Sequence, residues 1–269
     1  MQDFRLQNGI MLPLIRNHQE EAEMLVSYFK EKSKRGGVLK ILEAGCGQSW
    51  GIDLKGIPYH LTGVDIDKDA LMIRKYKTRD LHEIIEGDLR TINLPANKFD
   101  VIYNSYVLEH IDGAEKVLEK FCDWLKPGGI LILRFPDREA AYGLLTRITP
   151  FWFHVFYKKY IMGNPNAGKP GFDPYPVFYD RVVSTKGMRE FCIRHNMSIK
   201  EEWGHPFPSE WDRFPRLLSL VTRVIHLLSF KQLAHAHNNL TYVIEKAQAP
   251  QRNARSTEPL SEVNGRLFV

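Results

Sequence analysis

Two glycines one residue apart follow an apolar run in "ILEAGCGQSWGID", residues 41–53. Because glycine has no Cβ, a strand that ends in Gly45-Cys46-Gly47 lets the backbone pass close to a bound ligand. A dinucleotide-binding turn would carry a third glycine three residues after Gly47, but that position holds Trp50. The turn therefore predicts a nucleotide-like cofactor and weakens the case for NAD.

Three later segments end in polar side chains that could hold the rest of such a cofactor. Asp65, in "LTGVDID", follows Gly45 by about 20 residues, where a carboxylate accepts hydrogen bonds from both hydroxyls of a ribose. Asp88, in "EGDL", could accept from the exocyclic amine of an adenine, and Asn104 lies near the end of "FDVIYNS". NAD and adenosyl cofactors both contain a ribose, so these residues alone leave both cofactors open.

Short β-rich runs alternate with helical segments along most of the chain. The runs are "VLKILEAG", "YHLTGVDI", "LHEIIEGD", "FDVIYNS" and "GILILRF", with helices predicted at residues 13–31, "KDALMIRKYK" and "GAEKVLEKFCDWLKPGG". A last helix, "TKGMREFCIRHN", and two last strands, "MSIKEEWG" and "LTYVIEKA", follow. This alternation predicts an α/β fold with a doubly wound parallel sheet. Such a sheet binds its ligand at the carboxyl ends of its strands.

The pattern predicts one domain over residues 1–249, with insertions at about 136–184 and 205–236. Residues 250–269 are polar with few apolar anchors, which predicts a mobile tail. The N-terminal residues lack the pattern of a secretory signal, and no apolar run reaches the roughly 18 residues of a membrane span. We therefore expect a cytoplasmic protein, and a peripheral membrane contact stays open.

Cysteine spacing, acidic residues and net charge give no indication of a disulfide framework, a metal site or a particular anionic partner. Cys46, Cys122 and Cys192 are odd in number and far apart, so neither a disulfide framework nor a zinc site is predicted. No cluster of carboxylates suggests a divalent metal, although Asp137 would be one candidate ligand, and we expect no metal. The net charge of +5 favours anionic partners without selecting one, and nucleic acid is not the partner we expect.

Five segments occur in the order that is typical of class I S-adenosylmethionine-dependent methyltransferases. They are "LEAGCG", "GVDID", "EGDL", "FDVIYNSYVLEHI" and "LKPGGILIL", within about residues 38–135. The chain resembles the small-molecule branch, which includes the ubiquinone and menaquinone biosynthesis methyltransferases. This resemblance implies a Rossmann-like fold with a mostly parallel seven-stranded sheet, S-adenosyl-L-methionine as methyl donor and S-adenosyl-L-homocysteine as product. The chain departs from the family at Ser49, where a third glycine is common.

The resemblance also implies a role for each residue at the strand ends. Glu43 could instead order the loop or cap a helix, and Asp67 is interpreted as the N-cap of the next helix. The implied cofactor residues are Glu43, Gly45, Cys46 and Gly47 around the methionine end, Asp65 and Ile66 at the ribose, Asp88 and Leu89 at the adenine, and Asn104 beside the sulfonium.

Methyl transfer from a sulfonium is an in-line displacement, so the protein mainly has to align the reacting atoms. An acceptor that is a hydroxyl or a carbon acid must also lose a proton, and histidine is the natural base near neutral pH. His110, in "LEHI", is the candidate base because the resemblance places it near the reactive end of the cofactor; a structural role is the alternative. His154, Tyr179, His205 and Tyr175 lie in the insertions and are weaker candidates.

The two insertions carry most of the remaining apolar residues, and we expect them to form a lid. "PFWFHVFYKKYIMGNPNAGKPGFDPYP" could wall a pocket for a hydrophobic acceptor or simply pack onto the sheet. "DRFPRLLSLVTRVIHLLSFKQLAHAH" combines leucines and valines at helical spacing with basic residues. It fits a lid helix, an interfacial membrane helix or a homodimer contact, and all three stay open. The basic residues are Arg213, Arg216, Arg223 and Lys231.

The sequence therefore predicts an enzyme that methylates O or C of a small hydrophobic acceptor of lipid, prenyl, polyketide or terpenoid type. One rival is an RNA methyltransferase, whose RNA affinity would fall steeply with salt. The other is a methyltransferase-fold protein that binds a cofactor without turnover. The chain has "NSYV" after the fourth strand, where enzymes that methylate base amino groups carry an Asn/Asp-Pro-Pro-aromatic motif.

Overall fold

A seven-stranded sheet forms the centre of the computed structural model, which describes residues 4–7, 10–34, 36–169, 172–208 and 214–248. The proposed tail at 250–269 and Arg213 lie outside these residues. The strands are β1 Phe4–Gln7, β2 Ile10–Pro13, β3 Leu39–Ala44, β4 Tyr59–Asp65, β5 Glu83–Glu86, β6 Phe99–Ser105, β7 Leu125–Pro136, β8 Met197–Pro206 and β9 His237–Lys246.

The sheet has the strand order β5-β4-β3-β6-β7-β9-β8, and β1 pairs with β2 in a separate hairpin. Strands β3 to β7 are parallel, whereas β9 runs antiparallel to both of its neighbours, β7 and β8. The predicted doubly wound, mostly parallel, seven-stranded sheet is confirmed. The chain leaves β3 toward β4 and later returns to β6 on the other side of β3, so the switch point of the sheet lies at the carboxyl end of β3.

The helices begin where polar side chains satisfy their first free backbone amides. Asn17 accepts a hydrogen bond from the amide of Glu20, which starts the first helix later than the apolar pattern predicted. Asp67 accepts from Asp69 and Ala70, and its predicted N-cap role is confirmed. The helices are α1 His18–Ser33, α2 Lys68–Ile73, α3 Ala114–Trp124, α4 Ala141–Ile148, α5 Phe151–Phe156, α6 Thr185–Arg194 and α7 Pro215–Leu228.

Apolar side chains cover both faces of the sheet, which explains why the strand sequences read as nearly continuous apolar runs. Helix α3 buries one apolar stripe that includes Val117 and Phe121, and Leu42 of β3 belongs to the same core cluster. On the other face, Phe29 of α1 packs in a cluster with Ile41. Adjacent residues of β3 thus point to opposite cores, as a strand requires.

Helices α4 and α5 lie in the first insertion and α7 lies in the second, and α4 packs against α7. A backbone hydrogen bond from Ala141 to Ala234 ties the two insertions together. Among the helices in the described ranges, none combines the length and the apolar character that crossing a membrane requires.

A buried carboxylate joins the carboxyl end of β7 to β9 and α6. Asp137 is fully buried and accepts hydrogen bonds from the amide of Glu139, from Thr185 Oγ1 at 3.3 Å and from His237 Nε2 at 3.0 Å. These donors satisfy the side chain that the sequence left as a candidate metal ligand.

We expect Asp137→Ala to lower the free energy of unfolding by about 3 kcal/mol, because removing this buried carboxylate leaves its three hydrogen-bond donors without an acceptor. Chemical denaturation followed by circular dichroism measures this change. Asp123→Ala, at an exposed position, is the control and should change the stability little. Equal stabilities of the two variants would show that the buried network contributes nothing.

Candidate functional site

A cavity of about 850 Å³ opens at the carboxyl ends of β3 to β6, beside the switch point of the sheet. Its volume lies in the range that is usual for small-molecule sites. Most of the predicted cofactor residues lie in its wall, together with a segment of the first insertion. The wall includes Gly45, Gly47, Asp65, Ile66, Asp88, Leu89, Ser105, Tyr106, His110, Phe172, Tyr175, Pro176 and Phe178.

The glycine turn contacts the segment after β6 so closely that a side chain cannot fit. Gly45 has φ +75°, and a Cβ added there would lie 2.3 Å from Val107 Cγ2. At Gly47, with φ +51°, an added Cβ would meet no atom within 4 Å. The two glycines therefore have different roles: Gly45 permits close packing of the backbone, and Gly47 leaves the wall of the cavity open.

Asp65 links the glycine turn to the segment after β4. Its Oδ2 accepts from the amide of Gly47 at 2.7 Å, and its Oδ1 accepts from the amide of Asp67 at 2.8 Å. A carboxylate has about four acceptor positions, so each oxygen can still accept a hydroxyl. The donor and acceptor set thus fits a ribose, and the side chain of Ile66, 68% exposed at the same wall, offers an apolar surface beside it.

Glu43, near the end of β3, and Cys46, in the middle of the glycine turn, do not belong to the wall of the cavity. The guanidinium of the fully buried Arg74 donates to Glu43 Oε2 at 2.8 Å, to the Cys46 carbonyl at 2.6 Å and to Asp80 Oδ1 at 2.8 Å. The sequence placed both residues at the methionine end, whereas the structure gives them contacts that fix the turn. Arg74 was missed because "RKYK" reads as the polar face of a helix.

Asn104 and Asp88 complete the strand ends. Asn104 is fully buried outside the wall, and its Nδ2 donates to the Ala44 carbonyl at 2.7 Å, which joins the ends of β6 and β3. Asp88 does lie in the wall, where its hydrogen bonds with Arg90 lower the pKa of its carboxyl group. Asp88 is therefore an ionised acceptor, which could accept from an exocyclic amine.

Trp50, which replaces the glycine of a dinucleotide turn, points away from the cavity. Its ring packs edge-on against Tyr103 and Phe29, with ring centroids 5.4 and 6.4 Å apart. Ser49 is exposed. Trp50 therefore packs beneath the turn, and its side chain does not occupy the cavity.

His110 lies in the wall of the cavity, at the end of a short 3₁₀ helix, Leu108–His110. Its Nδ1 is 2.7 Å from the carbonyl oxygen of Pro176. Because a carbonyl oxygen only accepts, Nδ1 carries the proton and Nε2 keeps its lone pair. Burial lowers the pKa of His110 below its ordinary value of 6.5, so the neutral imidazole predominates at neutral pH.

Glu109, next to the histidine, is a buried carboxyl group that the sequence did not single out. Its side chain is 4% exposed, and its Oε1 lies 3.8 Å from His110 Nε2. Burial raises the pKa of Glu109 to about 8. The protonated form is therefore favoured at neutral pH, and it does not draw His110 into the charged form.

A segment of the first insertion covers His110 with aromatic side chains. The amide of Phe178 donates to the Glu109 carbonyl at 2.8 Å, and Tyr175 packs edge-on against the imidazole with ring centroids 5.7 Å apart. Phe172 lies in the same wall. Of these three aromatic residues, the sequence indicates only Tyr175 as a candidate. The sequence of an insertion does not show which part of the protein its aromatic side chains will cover.

The other candidate catalytic residues lie elsewhere. His154 Nε2 forms a hydrogen bond with Thr149 Oγ1 at 2.5 Å, and Tyr179 accepts from Thr146 Oγ1 at 3.2 Å. Burial raises the pKa of Tyr179 to about 12. His205 forms a hydrogen bond with Thr241. None of these three candidates belongs to the wall of the cavity, so the structure does not bring them to the site.

Potential metal ligands cluster once within the part of the chain that the structure describes. The group comprises Glu115, Glu119 and His195, whose ligand atoms lie within 4.8 Å of one another. Glu115 already pairs with Arg194, and the group is not part of the cavity wall. It has no role in the site described above.

Comparisons with known proteins indicate the class of domain that carries this cavity. A family model described as a methyltransferase domain matches residues 42–133. A "Probable S-adenosylmethionine-dependent methyltransferase" from Mycolicibacterium smegmatis is 34% identical over 41% of the chain and 44% of its own length. The ubiquinone biosynthesis O-methyltransferase of Glaesserella parasuis is 23% identical over 68% of the chain and 75% of its own length.

The fold has a counterpart among solved structures. A SAM-dependent methyltransferase from Methanosarcina mazei superposes with a TM-score of 0.51, at 15% identity, and the match covers 80% of this chain and 95% of that one. Residues 42–133 match a methyltransferase domain, and both the similar sequences and the fold support the class I S-adenosylmethionine-dependent type, whose cofactor is S-adenosyl-L-methionine. The motif-based recognition, the fold class and the cofactor prediction are confirmed.

Asp65→Ala tests the cofactor site. Loss of a charged acceptor for the ribose, and of the hydrogen bond to Gly47, should weaken S-adenosylmethionine binding by about tenfold to a hundredfold. Isothermal titration calorimetry measures this change. Asp53→Ala is the control, because Asp53 is an exposed carboxylate outside the cavity wall. Unchanged affinity in a folded Asp65→Ala protein would contradict the ribose assignment.

Proposed function

We propose that this protein is an enzyme that transfers a methyl group from S-adenosylmethionine to O or C of a small hydrophobic acceptor. The observation that carries the proposal is a neutral histidine in the cavity wall, fixed with Nε2 as its basic atom and flanked by aromatic side chains. Bound S-adenosylmethionine would supply an electrophilic methyl group on its sulfonium. The chain's own residues would bind the two substrates, align them and remove the acceptor's proton.

His110 is the residue that we assign to proton removal. Because burial lowers the pKa of His110, the lone pair of Nε2 is available at neutral pH. The Pro176 carbonyl stabilises the imidazolium that forms when Nε2 takes the proton. Tyr175 restricts the imidazole from one side. This arrangement suits a phenolic or enolic acceptor, whose proton is acidic enough for an imidazole to accept.

The composition of the wall supports an apolar acceptor. Phe172, Tyr175 and Phe178 are exposed at the mouth of the cavity, and aromatic side chains of this kind bind apolar ligands. Arg90 is the one lysine or arginine among the described residues of the wall, and it is paired with Asp88. A phosphorylated acceptor or an RNA would be expected to meet more cations. The similarity to a ubiquinone biosynthesis O-methyltransferase also supports an apolar aromatic acceptor.

The direct experiment measures transfer of a labelled methyl group from S-adenosylmethionine to a panel of acceptors. Alkylated or prenylated phenols and cyclic enols represent the proposed class; small phosphorylated amines and short RNA represent the alternatives. We expect label in the phenols or enols, with S-adenosylhomocysteine formed in equal amount. Label in RNA alone would replace the proposal by its RNA rival. Cofactor binding without transfer to any acceptor class would favour the binding module.

His110→Ala should lower kcat by about a hundredfold or more, the usual contribution of a general base. The affinity for S-adenosylmethionine should change little, because the residue acts on the acceptor. Steady-state kinetics and calorimetry separate the two effects. His154→Ala, a histidine outside the cavity wall, is the matched control. Equal turnover of the two variants would exclude His110 as the base.

The pH profile of kcat should report the same group. The base is active when neutral, so the rate should rise with pH through the pKa of His110 and then level off. Because burial lowers that pKa below 6.5, the plateau should already be reached at neutral pH. A rate that continues to rise above pH 7 with slope one would assign the proton transfer to another group.

A further inference from the structure

Helices α5 and α7 expose large apolar side chains that the cofactor site does not use. We call the exposed apolar side chains of residues 151–162 and 214–230 the apolar surface. Trp152 is 68% exposed, Leu228 75% and Phe230 88%, and Leu220 and Leu227 on the same side of α7 are also exposed. None of the apolar surface contributes to the cavity wall.

The two helices belong to one part of the fold. Helix α5 follows α4 after only Thr149 and Pro150, and α4 packs against α7. Both helices therefore adjoin α4, and each exposes apolar side chains. Burial of so many apolar side chains would be favourable, and exposed patches of this kind mark sites of interaction.

Basic side chains predominate in the segments that carry the apolar surface, and Lys158 among them is paired with Asp173. Residues 141–172 and 214–236 contain no Asp or Glu. Arg147 and Lys159 beside α5, and Arg216 and Arg223 on α7, are exposed. Lys159 lies over the ring of Tyr160, with Nζ 5.5 Å from the ring centroid. Aromatic rings with adjacent basic side chains are typical of helices that lie in a membrane interface.

We propose that the apolar surface docks on an anionic lipid bilayer, with α5 and α7 inserted into the interface. Neither helix crosses it, because α7 has 14 residues and α5 has six, far fewer than a span requires. A second copy fits less well: in a symmetric dimer the same patch meets itself, and residues 214–236 offer no Asp or Glu to pair with Arg216 and Arg223. Anionic headgroups neutralise these cations instead.

This inference stands apart from the proposed function, since membrane binding needs neither cofactor nor turnover. The two proposals can also be disproved independently, because the vesicle experiment below contains no S-adenosylmethionine and no acceptor. A membrane contact would, however, bring the cavity to the place where a lipid-like acceptor dissolves.

Vesicle co-sedimentation of the full chain tests the proposal. Vesicles of phosphatidylcholine with phosphatidylserine should bind the protein, and vesicles of phosphatidylcholine alone should bind it much more weakly. The double variant Leu220→Glu/Leu227→Glu should lose at least about tenfold in affinity, because it places two carboxylates in the interface. Ile193→Glu, at a side chain of α6 that is 80% exposed outside the apolar surface, is the matched control and should bind like wild type.

A second variant removes charge without touching the apolar side chains. Arg216→Gln/Arg223→Gln should reduce binding to the phosphatidylserine vesicles by about fivefold for each cation. Lys116→Gln, at an exposed position of α3, is the control and should have little effect. In addition, tryptophan emission should shift to the blue on vesicle binding, and the shift should largely disappear in Trp152→Phe.

Three results would overturn the proposal. The first is equal vesicle binding by wild type and both double variants. The second is absence of binding to phosphatidylserine vesicles. The third is a stable dimer in sedimentation velocity that Leu220→Glu/Leu227→Glu converts to a monomer while vesicle binding is unaffected, since the apolar surface would then be a contact between copies of the chain.

Discussion

The shape of the candidate cofactor site depends on the hydrogen bonds that hold the glycine turn between Asp65 and Arg74. Asp65 accepts from the amide of Gly47 on the cavity side, and Arg74 donates to the Cys46 carbonyl on the other side. The turn is thus held at two points by side chains from two other segments. Hydrogen bonds from Arg74 to Glu43 and Asp80 compensate the burial of its guanidinium.

The turn can lack a third glycine because no helix follows it: between Ala44 and Tyr59 the chain forms only turns and loops. In a dinucleotide turn that glycine lets the helix pack closely against its strand. Here Trp50 occupies the position and packs beneath the turn against Tyr103, and the wall of the cavity is left to Gly45, Gly47 and their neighbours. Aromatic packing of Trp50 against Tyr103 and Phe29 therefore supports the turn from beneath.

The sequence predicted the sheet and the strand ends because both follow from local patterns. Asp65 and Asp88 end parallel strands, and parallel strands carry ligands at their carboxyl edge. The role of Arg74 could not be predicted, since a basic residue within a helical pattern is usually solvated and its burial depends on packing. The position of His154 outside the cavity wall could not be predicted for a related reason: the sequence of an insertion does not reveal which side faces the cavity. Whether His110 is the base stays a prediction.

Calorimetric titration with S-adenosylmethionine and S-adenosylhomocysteine tests the central claim most directly. The account predicts that both bind near one per chain and that Gly45→Ala, which would place a Cβ against Val107, abolishes or severely weakens binding of both. Absence of binding to the wild-type chain, or a folded Gly45→Ala protein with unchanged affinity, would contradict the account of a cofactor cavity built on this turn.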